Sequence, residues 1–210
     1  MTSLIAAVVL IGFLILQMRQ TRYVSWIYWV TVVFLSIVGT LLTDSMSDTF
    51  GISLYVSSMV FALGLAITFI AWYRSEHTLS IHEITTRRRE AYYWSAILFT
   101  FALGTAAGDL MSEKLGLGFT IAGLIFGGAI VLITTGYYAR LLNPVCAFWS
   151  AYILTRPLGA SMGDLLTQAP KEGGLGFSTM PVSGVFLIVI VGLVIYLTVS
   201  GIDRENHVPQ

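Results

Sequence analysis

The chain has 210 residues, 56% of them apolar and only 10% charged, with a mean hydropathy of +0.83. Water-soluble domains lie nearer about 45–50% apolar and about 25% charged. The balance therefore excludes an ordinary soluble globule, a disordered tail and a nucleic-acid binder, and predicts a polytopic membrane protein. Lys+Arg and Asp+Glu each number 11, so net charge points to no partner beyond the lipid bilayer. The single cysteine, Cys146, excludes an internal disulfide, and no Cys/His cluster suggests zinc.

In chain order, seven stretches approach the ~20 apolar residues of a transmembrane helix: 3–18, 25–43, 53–73, 91–111, 118–138, 145–165 and 182–201. The first is short, but its basic residues Arg19 and Arg22 follow the apolar run instead of preceding it, unlike a cleaved signal peptide. It reads as a retained span. The expected fold is all-α, one transmembrane domain over 1–210, because no polar stretch reaches the roughly 50 residues of a soluble domain.

Basic residues orient such a bundle. Arg19, Arg22, Arg74, Arg87, Arg88, Arg89, Arg140 and Arg204 fall on one side, against Lys114 and Lys171 on the other. This predicts an outer N-terminus and a cytoplasmic C-terminus. The loop 74–90 carries Ser80 and Glu83 at capping-box spacing, followed by Arg87, Arg88 and Arg89. These arginines read as headgroup anchors that fix topology. His77 and His82 are too isolated for a metal site. Trp26, Tyr28, Trp72, Tyr92, Tyr137 and Tyr138 fall near span ends and read as an interfacial belt.

The even-numbered spans contain a repeat. Trp29, Trp94 and Trp149 each precede an aspartate by 15 residues: Asp44, Asp109 and Asp164. Gly39, Gly104 and Gly159 share one internal position, and the residue before each aspartate is small: Thr43, Gly108 and Gly163. The pattern is W-x9-G-x4-D at intervals of 65 and 55 residues. It predicts tandem units of a motif helix followed by a plain helix, the motif helices parallel to one another. Span one behaves as the plain helix of a unit without its motif helix.

The segments TRRREAYYW, FTFALGTAAGDL and TRPLGASMGDLL resemble the bacterial "repeat of unknown function" membrane proteins, often labelled uncharacterised membrane-anchored proteins. The resemblance covers nearly the whole chain. It implies a bacterial inner-membrane location and, in most members, four two-helix repeats; this chain lacks a counterpart of the first motif helix. The label implies no activity, so function rests on the residues.

Gly104/Gly108 and Gly159/Gly163 are four apart, on one helix face, and Gly39 lies in the same register. That is small-xxx-small spacing, read first as helix packing. The aspartates lie roughly 27–33 Å along their spans at 1.5 Å per residue, where a carboxylate opposes the helix dipole. Each could N-cap a short interfacial helix or be solvated. Alternatively they form a cation site, with Asp48, Glu113 and Gln168 four residues on. Clustered carboxylates suit a hard divalent cation, so Asp44, Asp109 and Asp164 are candidate metal ligands, with Asp48 and Glu113 on the same pathway. No other cofactor is expected.

Arg156 is the sharpest anomaly. It lies roughly 16 Å into its span, near mid-bilayer, where arginine costs at least about 2.5–3.5 kcal/mol. Pro157 follows, favouring a kink. Asp164 is eight residues on, about 12 Å away along the helix, so Arg156 needs carbonyls, an acid from another helix or an anionic substrate.

Several classes fail on sequence. A retinal protein needs an intramembrane lysine, and Lys114 and Lys171 are in loops. An intramembrane hydrolase or haem protein needs a base or ligand that the spans, free of histidine, do not supply. The expectation is a non-enzymatic transporter or channel for a small ion, a divalent cation included, or a small solute. The alternative is a structural or accessory membrane protein whose charges only cap and staple the bundle. Neither reading sets an oligomeric state, and a homo-oligomer fits both.

Overall fold

The computed structural model describes residues 2–20, 23–81, 84 and 86–200. It is all-helical among these: α1 (Thr2–Arg19), α2 (Ser25–Asp44), α3 (Leu54–Glu76), α4 (Arg87–Asp109), α5 (Gly118–Tyr138), α6 (Pro144–Thr167) and α7 (Thr179–Ser200). Each of the seven apolar stretches overlaps one of these helices. α2 to α5 and α7 include five stretches long and apolar enough to cross a membrane; α1 is shorter. α6 has 24 residues but includes Arg156 and Asp164 and is not among the five. The set is compatible with a multi-pass membrane protein, and long rows of exposed Leu, Ile and Val on α3, α5 and α7 have the chemistry a bilayer would cover.

Local chemistry explains the ends. Ser53 caps α3 by accepting from the Val56 amide, and His77 closes it at φ 56°. Thr86 caps α4 by accepting from the Arg89 amide, so the start of α4 does not depend on Ser80; Glu83 lies outside the described residues, as do His82, Arg22 and Arg204. Asn143 caps α6, with Pro144 at its first turn, where a missing N–H costs nothing. Arg89 Nε donates to Glu76 at 2.8 Å, tying the end of α3 to the start of α4. Arg89 is thus held within the fold, where the sequence suggested only a headgroup anchor.

The motif helices α2, α4 and α6 form an arc with α4 in the middle. Each plain helix packs on the motif helix that follows it: α1 on α2, α3 on α4, α5 on α6. α7 has no following motif helix, touches α2 and α6 lightly, and buries no residue.

The contacts repeat with the sequence. A Cβ added at Gly39 would come 2.7 Å from the Cβ of Phe101, and one added at Gly104 would collide with the Cβ of Arg156. Phe101 and Arg156 are equivalent residues, each seven after the motif tryptophan. The glycine of one motif helix therefore receives the position-seven side chain of the next. This is the close backbone approach that small-xxx-small spacing allows. Thr43 adds a hydrogen bond to the Ala102 carbonyl at 3.0 Å, and Gly108 lies against Ala160 and Pro157. Gly159 and Gly163 have open space.

An aromatic layer closes the tryptophan end of the arc. Trp72 is fully buried, its ring centroid 5.9 Å from that of Trp149. Tyr28 and Tyr93 share a hydroxyl–hydroxyl hydrogen bond, and Trp149 Nε1 donates to the Leu79 carbonyl at 2.9 Å. Trp72 and Tyr28 thus pack inside the bundle and are not belt residues; Trp26, Tyr137 and Tyr138 are exposed, as a belt requires.

Candidate functional site

Above the aromatic layer, α2, α4 and α6 enclose a groove of about 220 Å³ lined by Ser36, Thr40, Phe101, Thr105, Thr155, Arg156, Gly159 and Ala160. The repeat explains the lining. Ser36, Phe101 and Arg156 are the three position-seven residues, and Thr40, Thr105 and Ala160 follow four residues later, one turn on. The site is the place where the repeats diverge: a hydroxyl, a ring and a guanidinium occupy equivalent positions.

Arg156 is positioned by its neighbours. Its guanidinium carbon lies 3.6 Å from the Phe101 ring centroid, a close cation–π contact. Nη2 donates to the Tyr152 hydroxyl at 2.8 Å. Nε is buried without a hydrogen-bond partner. No described carboxylate forms an ion pair with Arg156; the described ion pairs join Glu76 to Arg88 and Arg89, and Lys171 to Glu172. Thr40 and Thr105 hydroxyls are 3.3 Å apart, bridging α2 and α4 along the groove wall. Pro157 is buried inside α6 and faces Gly108, so the residue that weakens the α6 backbone ladder also fills the α4–α6 seam.

The aspartates lie at the other end. α2 does not stop at Asp44, nor α4 at Asp109: each continues into a π-helical turn, Ser45–Thr49 and Leu110–Lys114. Neither Asp44 nor Asp109 makes a capping hydrogen bond with its side chain, so the capping explanation fails for both. α6 runs on through Asp164 to Thr167, and the Gln168 backbone amide donates to the Asp164 carbonyl at 2.8 Å. The third repeat therefore ends differently, with a loop pinned by the Leu175 amide on the Leu165 carbonyl at 2.7 Å. π turns are rare and concentrate at functional sites. Two of them at equivalent repeat positions escaped the sequence, where only the matching glycines Gly51 and Gly116, both at positive φ just beyond, hinted at a shared turn.

The acids do gather. Asp109 feels the charges of Glu113, Asp164, Asp44 and Asp48. All three aspartates are half-buried, while Asp48 and Glu113 are exposed. Yet among the described residues no three His, Cys, Asp or Glu side chains converge tightly enough to hold a metal ion. A cleft of about 490 Å³ at this end is lined by Ser112, Glu113, Gly116, Gly118, Phe119, Gln168 and Glu172. Of the candidate acids, only Glu113 is in its wall, and none lines the Arg156 groove.

Residues 27–78, 92–140 and 147–203 match the family described as Repeat of Unknown Function (DUF347). The chain belongs to this family. The three matched segments begin 65 and 55 residues apart, the same intervals as the W-x9-G-x4-D motif. Neither a curated protein nor a solved structure matches the chain. The family carries no activity with it, so the groove and the acidic end must be read on their own chemistry.

Proposed function

We propose that the protein is a transporter or channel for a small ion or small solute in the bacterial inner membrane, without enzymatic activity. The observation that carries this reading is Arg156, a guanidinium midway along α6 in an open, hydroxyl-lined groove with no described carboxylate opposite it. A charge used only to staple helices would be closed off by a fixed acid, because burial of an unpaired charge is costly. Ionisable residues inside spans usually line pathways. The acidic end supplies the mouth of the route: Asp44, Asp48, Asp109, Glu113 and Asp164 concentrate negative charge there. These acids act as a field and not as a coordination cage, which favours attraction of ions over tight divalent-cation binding.

The accessory reading keeps one specific support, the Arg89–Glu76 pair, in which charged side chains tie α3 to α4. Flux assays separate the two. Purified protein in liposomes should move a small ion or solute down its gradient, and Arg156→Gln should change the rate or selectivity while the protein remains folded. Liposomes that stay as tight as empty ones across a panel of inorganic ions and small organic solutes contradict the transport reading.

A further inference from the structure

The groove around Arg156 has a definite electrostatic demand. A guanidinium offers five N–H donors and cannot lose its proton. Here Nη2 has the Tyr152 hydroxyl, the Phe101 ring covers one face, and the buried Nε has no partner. Neither a neutral hydroxyl nor a ring supplies a counter-charge. The aspartate nearest along the same helix, Asp164, is about 12 Å further on. Sharing the groove wall with Arg156 are Ser36 and Thr40 on α2 and Thr105 on α4. Ser36 makes no described hydrogen bond; the Thr105 hydroxyl donates to the Phe101 carbonyl at 3.3 Å, so its contact with Thr40, also a long 3.3 Å, uses the Thr40 proton. Gly159, one turn beyond Thr155 on α6, leaves its side of the groove open. The space of about 220 Å³ holds a small ion with a few waters, not a drug-sized ligand.

We infer that this groove is a binding site for a small monovalent anion, a halide or a planar oxyanion or carboxylate, held by Arg156, by the Ser36 hydroxyl and by the Thr40 hydroxyl once its proton turns from Thr105 to the anion. The anion restores neutrality to a charge that the bundle leaves uncompensated. Planar oxyanions gain most, because two of their oxygens can meet the guanidinium fork. Asp44 and Asp109 lie one turn beyond Thr40 and Thr105 and act against anion entry, so Arg156 must outweigh them for the site to fill. The inference deepens the transport reading and rests on it for its biological meaning, but binding itself can be measured without flux.

The test is an equilibrium titration of the full chain in detergent with sodium nitrate and sodium formate at constant ionic strength, gluconate serving as the balancing ion. Saturable binding is expected, weakened at least about tenfold by Arg156→Gln, since a charge-assisted pair of hydrogen bonds is removed. Ser36→Leu, which fills the groove from α2 and retains the guanidinium, should abolish binding and decides the matter if Arg156→Gln does not fold. No saturable anion binding, or binding that both variants retain, overturns the site. Anion binding by protein that carries no flux upholds the site and removes the transport reading; flux without anion binding does the reverse.

Discussion

The α2–α4 and α4–α6 interfaces follow one rule and reach opposite outcomes. In both, a motif glycine admits the position-seven side chain of the next helix, Phe101 against Gly39 and Arg156 against Gly104. The first is an apolar joint of a kind common in helix bundles. The second puts a charge at the same depth, and its side chain then stacks on the residue that makes the first joint. The glycine fixes how closely the backbones approach, and the inserted residue fixes the chemistry of the seam. A repeat can thus hold its scaffold constant while one copy is specialised.

That comparison breaks most sharply at the glycines. Gly104→Leu should prevent normal assembly, because even a Cβ there collides with Arg156; size-exclusion chromatography and thermal unfolding should show loss of the folded species. Phe101→Ala should cost about 2 kcal/mol, less than the roughly 3–5 of a water-soluble core because the membrane reference state is already apolar. It removes the ring under the guanidinium and should also alter any Arg156-dependent binding. Breaking the Arg89–Glu76 pair with Glu76→Gln should lower the thermal midpoint only slightly, and less at high salt, as expected for a pair near the surface. Gly159→Ala should be neutral or stabilising by up to about 1 kcal/mol, since nothing lies within 4 Å of the added Cβ and alanine is the better helix former. A destabilised Gly159→Ala beside a tolerated Gly104→Ala would invert the comparison and refute the packing rule.

The motif helices, and the close approach of α2 to α4 and of α4 to α6, were legible in the sequence because Trp, Gly and Asp recur at fixed spacing along each; Gly159 and Gly163 share that spacing yet meet open space. Arg156 was legible because a charge amid apolar residues is conspicuous. The partner of each plain helix was not. α3, α5 and α7 are apolar on nearly every face, so their pattern cannot say which side meets protein and which meets lipid. Trp72 misled for the same reason: a tryptophan near a span end fits a belt by position, and only the fold shows it packed against Trp149. The π turns were hidden because one residue inserted into a helix leaves no periodicity of its own. The hydroxyls lining the groove were hidden because Ser36, Thr40 and Thr105 look like ordinary small helix residues until α2, α4 and α6 are brought together.

The central claim is that the groove around Arg156 is a water-filled route inside the bundle. In a Cys146→Ser background, single replacements Ser36→Cys and Ala96→Cys should be tested in proteoliposomes with a charged, membrane-impermeant thiol reagent. Ser36 lines the groove and Ala96 is fully buried in the core. The account predicts rapid labelling at position 36, slowed by Ser36-side occupancy with nitrate, and none at position 96. Position 36 resisting the charged reagent while reacting with a lipid-soluble maleimide would show a dry, lipid-facing seam and contradict the account.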